Sequence, residues 1–139
     1  MTFRPLGVRV TIYVLGALLL AVVGVMWFSF PAEIRDQFSI FQRVTLIGLG
    51  ALFYAAGYAL ARSRVVAREG GLTIVNGYRT RRFEWNQVLA VSLRPGSPWA
   101  VLDLSDGTSV PAMGIQSSDG ARATEQVRQV RALVNTHTR

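Results

Sequence analysis

The sequence predicts an α+β chain in which a two-helix transmembrane hairpin precedes a β-roll or partial barrel of short antiparallel strands, capped by one C-terminal amphipathic helix. Three observations carry this. Two long uncharged runs fill the N-terminal part, at residues 10–30 and 44–61. Beyond Arg62 the chain breaks into short alternating runs separated by turn residues. Over residues 121–134, Ala123, Val127, Val130 and Val134 recur at helical spacing and form one apolar stripe. The composition changes near Ala61, which divides the chain into a membrane segment, 1–61, and a soluble domain, 62–139.

The first run reaches roughly 30 Å as a helix, the thickness of a bilayer's hydrocarbon core. The second lies near the lower limit for a span and is bracketed by Arg43 and Arg62. A cleaved signal peptide fits poorly. Its apolar stretch would be shorter, and Phe28-Ser29-Phe30-Pro31-Ala32 offers no small-x-small cleavage site. Arg4 and Arg9 precede the first run, and Arg62, Arg64 and Arg68 follow the second. In the connecting loop Arg35 and Arg43 are offset by Glu33 and Asp36. Basic residues near helix ends stay on the cytoplasmic side, so both termini are expected there, in a cell (inner) membrane protein that crosses twice. Tyr13, Trp27 and Tyr58 fall where interfacial aromatic rings belong. Ala17, Ala21 and Gly24 on one helix and Ala51, Ala55 and Ala59 on the other form small-residue faces suited to packing within the hairpin or to a homodimer. Neither run holds an ionisable group in its middle, which argues for an anchor over a transport path.

In the soluble part, residues 64–68 and 72–76 read as strands around Glu69-Gly70-Gly71, and Asn76-Gly77 is a two-residue hairpin signal. Residues 78–85 alternate, with Thr80, Arg82 and Glu84 opposed to Arg79, Arg81, Phe83 and Trp85. Strands at 88–93, 99–104 and 108–112 follow, the last two joined at Asp106-Gly107. That makes about six strands. Ser117, Ser118 or Asp119 can cap the final helix.

The order of elements resembles the bacterial pleckstrin-homology-like (PH-like) membrane proteins, in particular the small actinobacterial type that includes the low molecular weight protein antigen 6 group. The resemblance rests on Gly71-Leu72-Thr73-Ile74 with Asn76-Gly77, on Arg81-Arg82-Phe83-Glu84-Trp85-Asn86-Gln87-Val88, and on Trp99-Ala100 with Asp106-Gly107-Thr108. Its signature is the tryptophan followed by a polar pair and a branched aliphatic, here Trp85 to Val88. The resemblance implies a PH-like fold and no particular activity.

All fifteen basic residues are arginine and the net charge is +7, which points to an acidic partner. From Arg62 onward eleven arginines face six acids. Arg62, Arg64 and Arg68 sit just inside the membrane and Arg79, Arg81 and Arg82 crowd one strand, so the six are either contacts for anionic lipid or a solvated face. With no cysteine, disulfides, thiolate nucleophiles and cysteine-bound metals are excluded. The single histidine, His137, lies at the tail. Asp103 and Asp106 lack a partner for acid–base or metal work, and no phosphate loop is present. No catalytic, metal or cofactor residues are therefore expected. The chain reads as a membrane-anchored interaction module, a scaffold or accessory subunit for an unidentified protein partner, or alternatively a sensor of anionic headgroups. Nucleic acid is a poor fit, because the aromatics do not form an RNA-binding signature.

Overall fold

The computed structural model describes residues 1–139. Helix α1 (Leu6–Ser29) and helix α3 (Ile40–Arg62) form an antiparallel hairpin, with a short α2 (Ala32–Asp36) in the turn. Their 24 and 23 residues extend beyond the uncharged runs and take in Arg9 and Arg43. Both are long and apolar enough to cross a membrane. No residue of α1 is buried and only Ala61 of α3 is, so these helices present to their surroundings an apolar surface that water would not favour.

Local chemistry fixes the hairpin's far end. Ser39 and Gln42 form a reciprocal capping box at the start of α3, at 3.1 and 2.9 Å. Arg43 donates to the carbonyls of Arg35 (2.6 Å) and Phe38 (3.2 Å), and its guanidinium lies 5.3 Å from the Trp27 ring centre. At the other end the helices touch where Gly57 faces Ile12; a Cβ there would stand 3.2 Å from Ile12 Cγ2. The predicted small-residue faces are only partly used: Ala55 and Ala59 are half-buried, whereas Ala17, Ala21 and Ala51 stay exposed.

Seven strands form two antiparallel sheets. β1 (Thr2–Phe3), β2 (Arg64–Arg68), β3 (Gly71–Asn76) and β4 (Arg79–Glu84) make the first, in that order. β5 (Val88–Ser92), β6 (Trp99–Leu104) and β7 (Ser109–Gln116) make the second. The strand beyond the expected six comes from the residues before α1. Phe3 lies opposite Val65 and Thr2 opposite Val66, and Met1 and Ala67 exchange both backbone hydrogen bonds (2.8 and 3.0 Å). Phe3 is 3% exposed and joins the core. The helical hairpin is thus an insertion between the first and second strands.

Both tight turns differ in detail from their sequence signals. The β3–β4 loop is Gly77-Tyr78, one residue later than Asn76-Gly77, because Asn76 and Arg79 pair as the last rung of the ladder. Only Gly77 takes a positive φ (+61°), as a type II′ turn requires at its first position. In the β6–β7 connection Leu104 accepts from Gly107 (3.1 Å) and donates to Thr108 (2.9 Å), so the loop has three residues and ends on Gly107 at φ +86°. β7 also runs to Gln116, past the expected 112. Pro111 is tolerated because β7 ends its sheet and the proline's missing N–H leaves no broken ladder on the far side.

The core lies between the sheets and under α4 (Ala121–His137), whose stripe of Ala123, Val127, Val130 and Val134 is buried as predicted. Leu72, Ile74 and Phe83 from the first sheet meet Ala100, Leu102, Leu104, Val110 and Ala112 from the second. No ladder joins the sheets; β7 instead crosses β2 and β3 by packing. Gly114 makes the crossing possible, since a Cβ there would stand 2.5 Å from Arg64 Cα and 2.7 Å from Val65 N. Asn76 stitches the same seam, accepting from the Met113 amide (2.9 Å) and donating to the Pro111 carbonyl (2.5 Å).

Gly114→Ala is expected to cost about 1–3 kcal/mol, since backbone must move to admit the methyl. Gly70→Ala, where a Cβ meets open space, should be close to neutral. Denaturant unfolding of the detergent-solubilised full chain measures the difference; equal stabilities would remove Gly114 from the crossing.

Candidate functional site

The six arginines singled out by sequence do not form one cluster. Strand register sets them in rows across the first sheet. Arg79 lies on the last rung with Asn76, and Arg64 lines up with Val75 and Thr80. Arg82 lines up with Thr73 and Val66, and Arg68 with Gly71 and Glu84. Five residues separate the Arg79 and Glu84 rungs, about 17 Å along the strand. Strand alternation then divides the arginines between faces: Arg79 and Arg81 share the side of Phe83, while Arg64, Arg68 and Arg82 lie on the other. Arg81 stands 5.0 Å from the Phe83 ring centre. None of the six is ion-paired, for the one salt bridge of the chain joins Arg128 and Glu125.

Arg62, Arg64 and Arg79 lie at the hairpin end of the domain, where the β3–β4 turn leans on α3, with Arg64 and Arg79 on opposite faces of the sheet. The Tyr78 hydroxyl donates to the Ala55 carbonyl (2.7 Å). Ala55 lies seven residues before Arg62 in α3, which is about 10 Å along the helix. The Gly77 amide donates to Ser63 Oγ (2.9 Å), which itself donates to the Ala59 carbonyl (2.9 Å). The Arg62 guanidinium lies 5.4 Å from the Tyr78 ring centre. The turn is therefore pinned to the flank of a helix that is long and apolar enough to cross a bilayer.

Arg68 and Arg82 belong to a separate, shallow groove with Gly70, Gly71, Thr73 and Glu84, at the end away from the helices. The Glu84 carboxylate is already engaged there, accepting from the Gln87 amide in the capping box that opens the turn Trp85–Gln87. Trp85 is buried and its indole donates to the carbonyls of Arg68 (3.1 Å) and Glu69 (2.9 Å), clamping the β2–β3 turn. Val88 is core, opposite Leu104, and Trp99 is half-buried opposite Gln116. These family-like residues hold the fold together. His137 is exposed near the tail, as expected, but α4 continues to it and its ring stacks on Trp85 at 4.4 Å.

The carboxylates have structural tasks. Asp103 accepts from Ser109 Oγ (2.7 Å). Asp106 accepts from the Thr108 hydroxyl (2.6 Å) and amide (2.9 Å), and these bonds hold its carboxyl below the ordinary value of 3.8, with a weaker pull from the Arg81 charge. Asp119 does something the sequence did not suggest. Expected among the caps of α4, it turns to α1 instead, and its carboxylate oxygens accept from the amides of Leu6 (2.9 Å) and Gly7 (2.8 Å). Those amides have no partner inside their own helix, and a carboxylate at a helix N-terminus also meets the favourable end of its dipole. Gly120, with no side chain to cap with, opens α4.

Asp119→Ala should lower stability by about 1 kcal/mol, the usual cost of losing a cap. Hydrogen exchange should quicken at Leu6 and Gly7 and not in the first turn of α4. Faster exchange in α4 instead would show that Asp119 serves that helix.

The comparisons with known proteins agree with this architecture. The family model described as the bacterial PH domain matches residues 62–133. Uncharacterized proteins from Mycobacterium bovis and from two strains of Mycobacterium tuberculosis are each 37% identical over 98 residues, which is 68% of this chain. The match covers 64% of their length, so the chain spans less than two thirds of these curated relatives. No solved structure matches it. With the family model covering over half of the chain, and two sheets closed by one C-terminal helix where that model lies, the chain belongs to the bacterial PH domain family.

Proposed function

We propose that this PH domain is a scaffold or accessory subunit that holds a protein partner at the cytoplasmic face of the cell membrane, with the hairpin as its anchor. One observation carries the reading: both ends of the hairpin enter the same folded body, through β1 on one side and α3 and β2 on the other. A domain tethered twice stands at a fixed height and attitude, which suits presentation of a surface and is not needed for simple membrane attachment. Arg4, Arg9, Arg62 and Arg64 all lie at the domain end of the hairpin, and the positive-inside rule then favours a cytoplasmic domain. The strand edges differ in what they offer. β4 carries Arg79, Arg81 and Arg82, which discourage strand pairing, whereas β5 has no charged residue of its own and Leu89 is 65% exposed, although Arg131 of α4 donates to the Val91 carbonyl (2.7 Å). A partner strand or loop is best received along β5.

A photo-crosslinking residue placed at Leu89 in native membranes should capture one discrete protein species, and the same residue at Thr80 should not. Equal capture of many proteins at both positions, or no adduct at either, would contradict the reading.

A second reading, contact with anionic headgroups, is favoured by the pinned β3–β4 turn. Arg62, Arg64 and Arg79 at that end would contribute about 1 kcal/mol each near an anionic leaflet. This orients a domain that is already anchored. Of the six arginines, this group lies nearest the hairpin by strand register.

A further inference from the structure

The second reading can be taken to a particular site. Where the β3–β4 turn rests on α3, two side chains are held and a third stands beside them. Tyr78 is tied to the helix by its hydrogen bond to the Ala55 carbonyl (2.7 Å). Half-buried Arg62, the last residue of α3, lies over the Tyr78 ring at 5.4 Å. Arg79 follows Tyr78 on the exposed rim. The bonds through Ser63 tie the turn's backbone to α3, so the group cannot drift from the helix (2.9 Å each).

The charge balance of this notch is unusual for the chain. Neither Arg62 nor Arg79 has a carboxylate partner. The acids of the first sheet and its turns, Glu69 and Glu84, lie at the opposite end of the ladder. A guanidinium stacked on an aromatic face keeps its N–H edge free and oriented, which favours two-point contact with a phosphate over diffuse attraction. Depth supplies the rest. With α3 crossing the bilayer, the Tyr78 ring falls in the interfacial layer preferred by such rings, and the arginine side chains reach the level of the lipid phosphates.

We propose that the notch between the end of α3 and the Gly77-Tyr78 turn seats the phosphate of one anionic phospholipid from the surrounding leaflet, gripped by Arg62 and Arg79 with Tyr78 as the platform. The proposal rests on the headgroup reading and narrows it to one site. Arg82, about 10 Å further along the sheet by strand rise, and Arg68, about 17 Å further, take no part.

The test uses the full chain in phosphatidylcholine nanodiscs with and without phosphatidylglycerol, with co-purifying lipid counted by native mass spectrometry after transfer to detergent. The unmodified chain should retain one phosphatidylglycerol. Replacing both Arg62 and Arg79 by lysine preserves charge and should reduce retention about tenfold, the loss of one good charge-assisted contact. Tyr78→Phe, which removes only the bond to Ala55, should reduce it in the same direction, while Arg68→Ala with Arg82→Ala should leave it unchanged. Undiminished retention in the double-lysine protein overturns the notch, as does displacement of the lipid by inorganic phosphate alone. A preference for phosphatidylglycerol that survives every Arg62 and Arg79 substitution defeats the notch and leaves the headgroup reading standing. No preference in the unmodified chain defeats both.

Discussion

The structure depends on the closure of its long apolar hairpin onto a single sheet. Phe3, just before α1, is paired with Val65, just after α3, and both are buried in one core. A backbone ladder and a buried phenylalanine cannot form unless the two chain ends of the hairpin lie side by side. The helices are then a long insertion into a PH fold and not a leader attached in front of it. Asp119 reinforces the closure from the opposite side of the domain by taking up the first amides of α1. Three separate elements, β1, the segment before α4 and the β3–β4 turn, therefore grip the hairpin near its base.

That grip decides which residues lie beside the apolar helices and which lie far from them. Tyr78 and its flanking arginines stay low because the turn is fastened to α3, and Arg68 and Arg82 stay high because the ladder register holds them there. Six arginines that look equivalent by count separate into a group at the hairpin end, a pair at the far groove, and Arg81 against Phe83. The distinction matters because attraction to a charged leaflet fades within a Debye length, about 8 Å at physiological salt. Under the headgroup reading, the group at the base of the hairpin is the one nearest the leaflet.

Much of this was legible in the sequence, where a repeating pattern recorded burial. The uncharged runs gave the helices, alternation gave the strands from β2 to β6, and the spacing of Ala123, Val127, Val130 and Val134 gave the buried face of α4. What was hidden depends on partners far away in the chain. A two-residue strand has no period to detect, so β1 passed unnoticed. Asp119 sits among good capping residues for α4, and only the folded chain shows α1 beside it. Asn76 looked like half of an Asn-Gly turn, although its side chain serves the seam to β7. Gly114 did carry a usable signal: an isolated glycine in a strand pattern often marks close backbone approach. The second half of β7 lies beyond the strand end expected at residue 112. Tyr78 was read only for its place in an alternating run, because its contact with α3 is lateral and leaves no mark in either element alone.

The central claim is that β1 and the PH domain occupy the same, cytoplasmic side while residues 37–39 lie across the membrane. The chain has no cysteine, so each introduced thiol is a unique reporter. Labelling of Thr2→Cys, Gln37→Cys and Ser118→Cys with a membrane-impermeant maleimide, in spheroplasts and in inverted vesicles, tests it directly. Gln37→Cys should react only in spheroplasts, and the other two only in inverted vesicles. Reaction of Thr2→Cys and Ser118→Cys on opposite sides, or of all three on one side, would contradict the account.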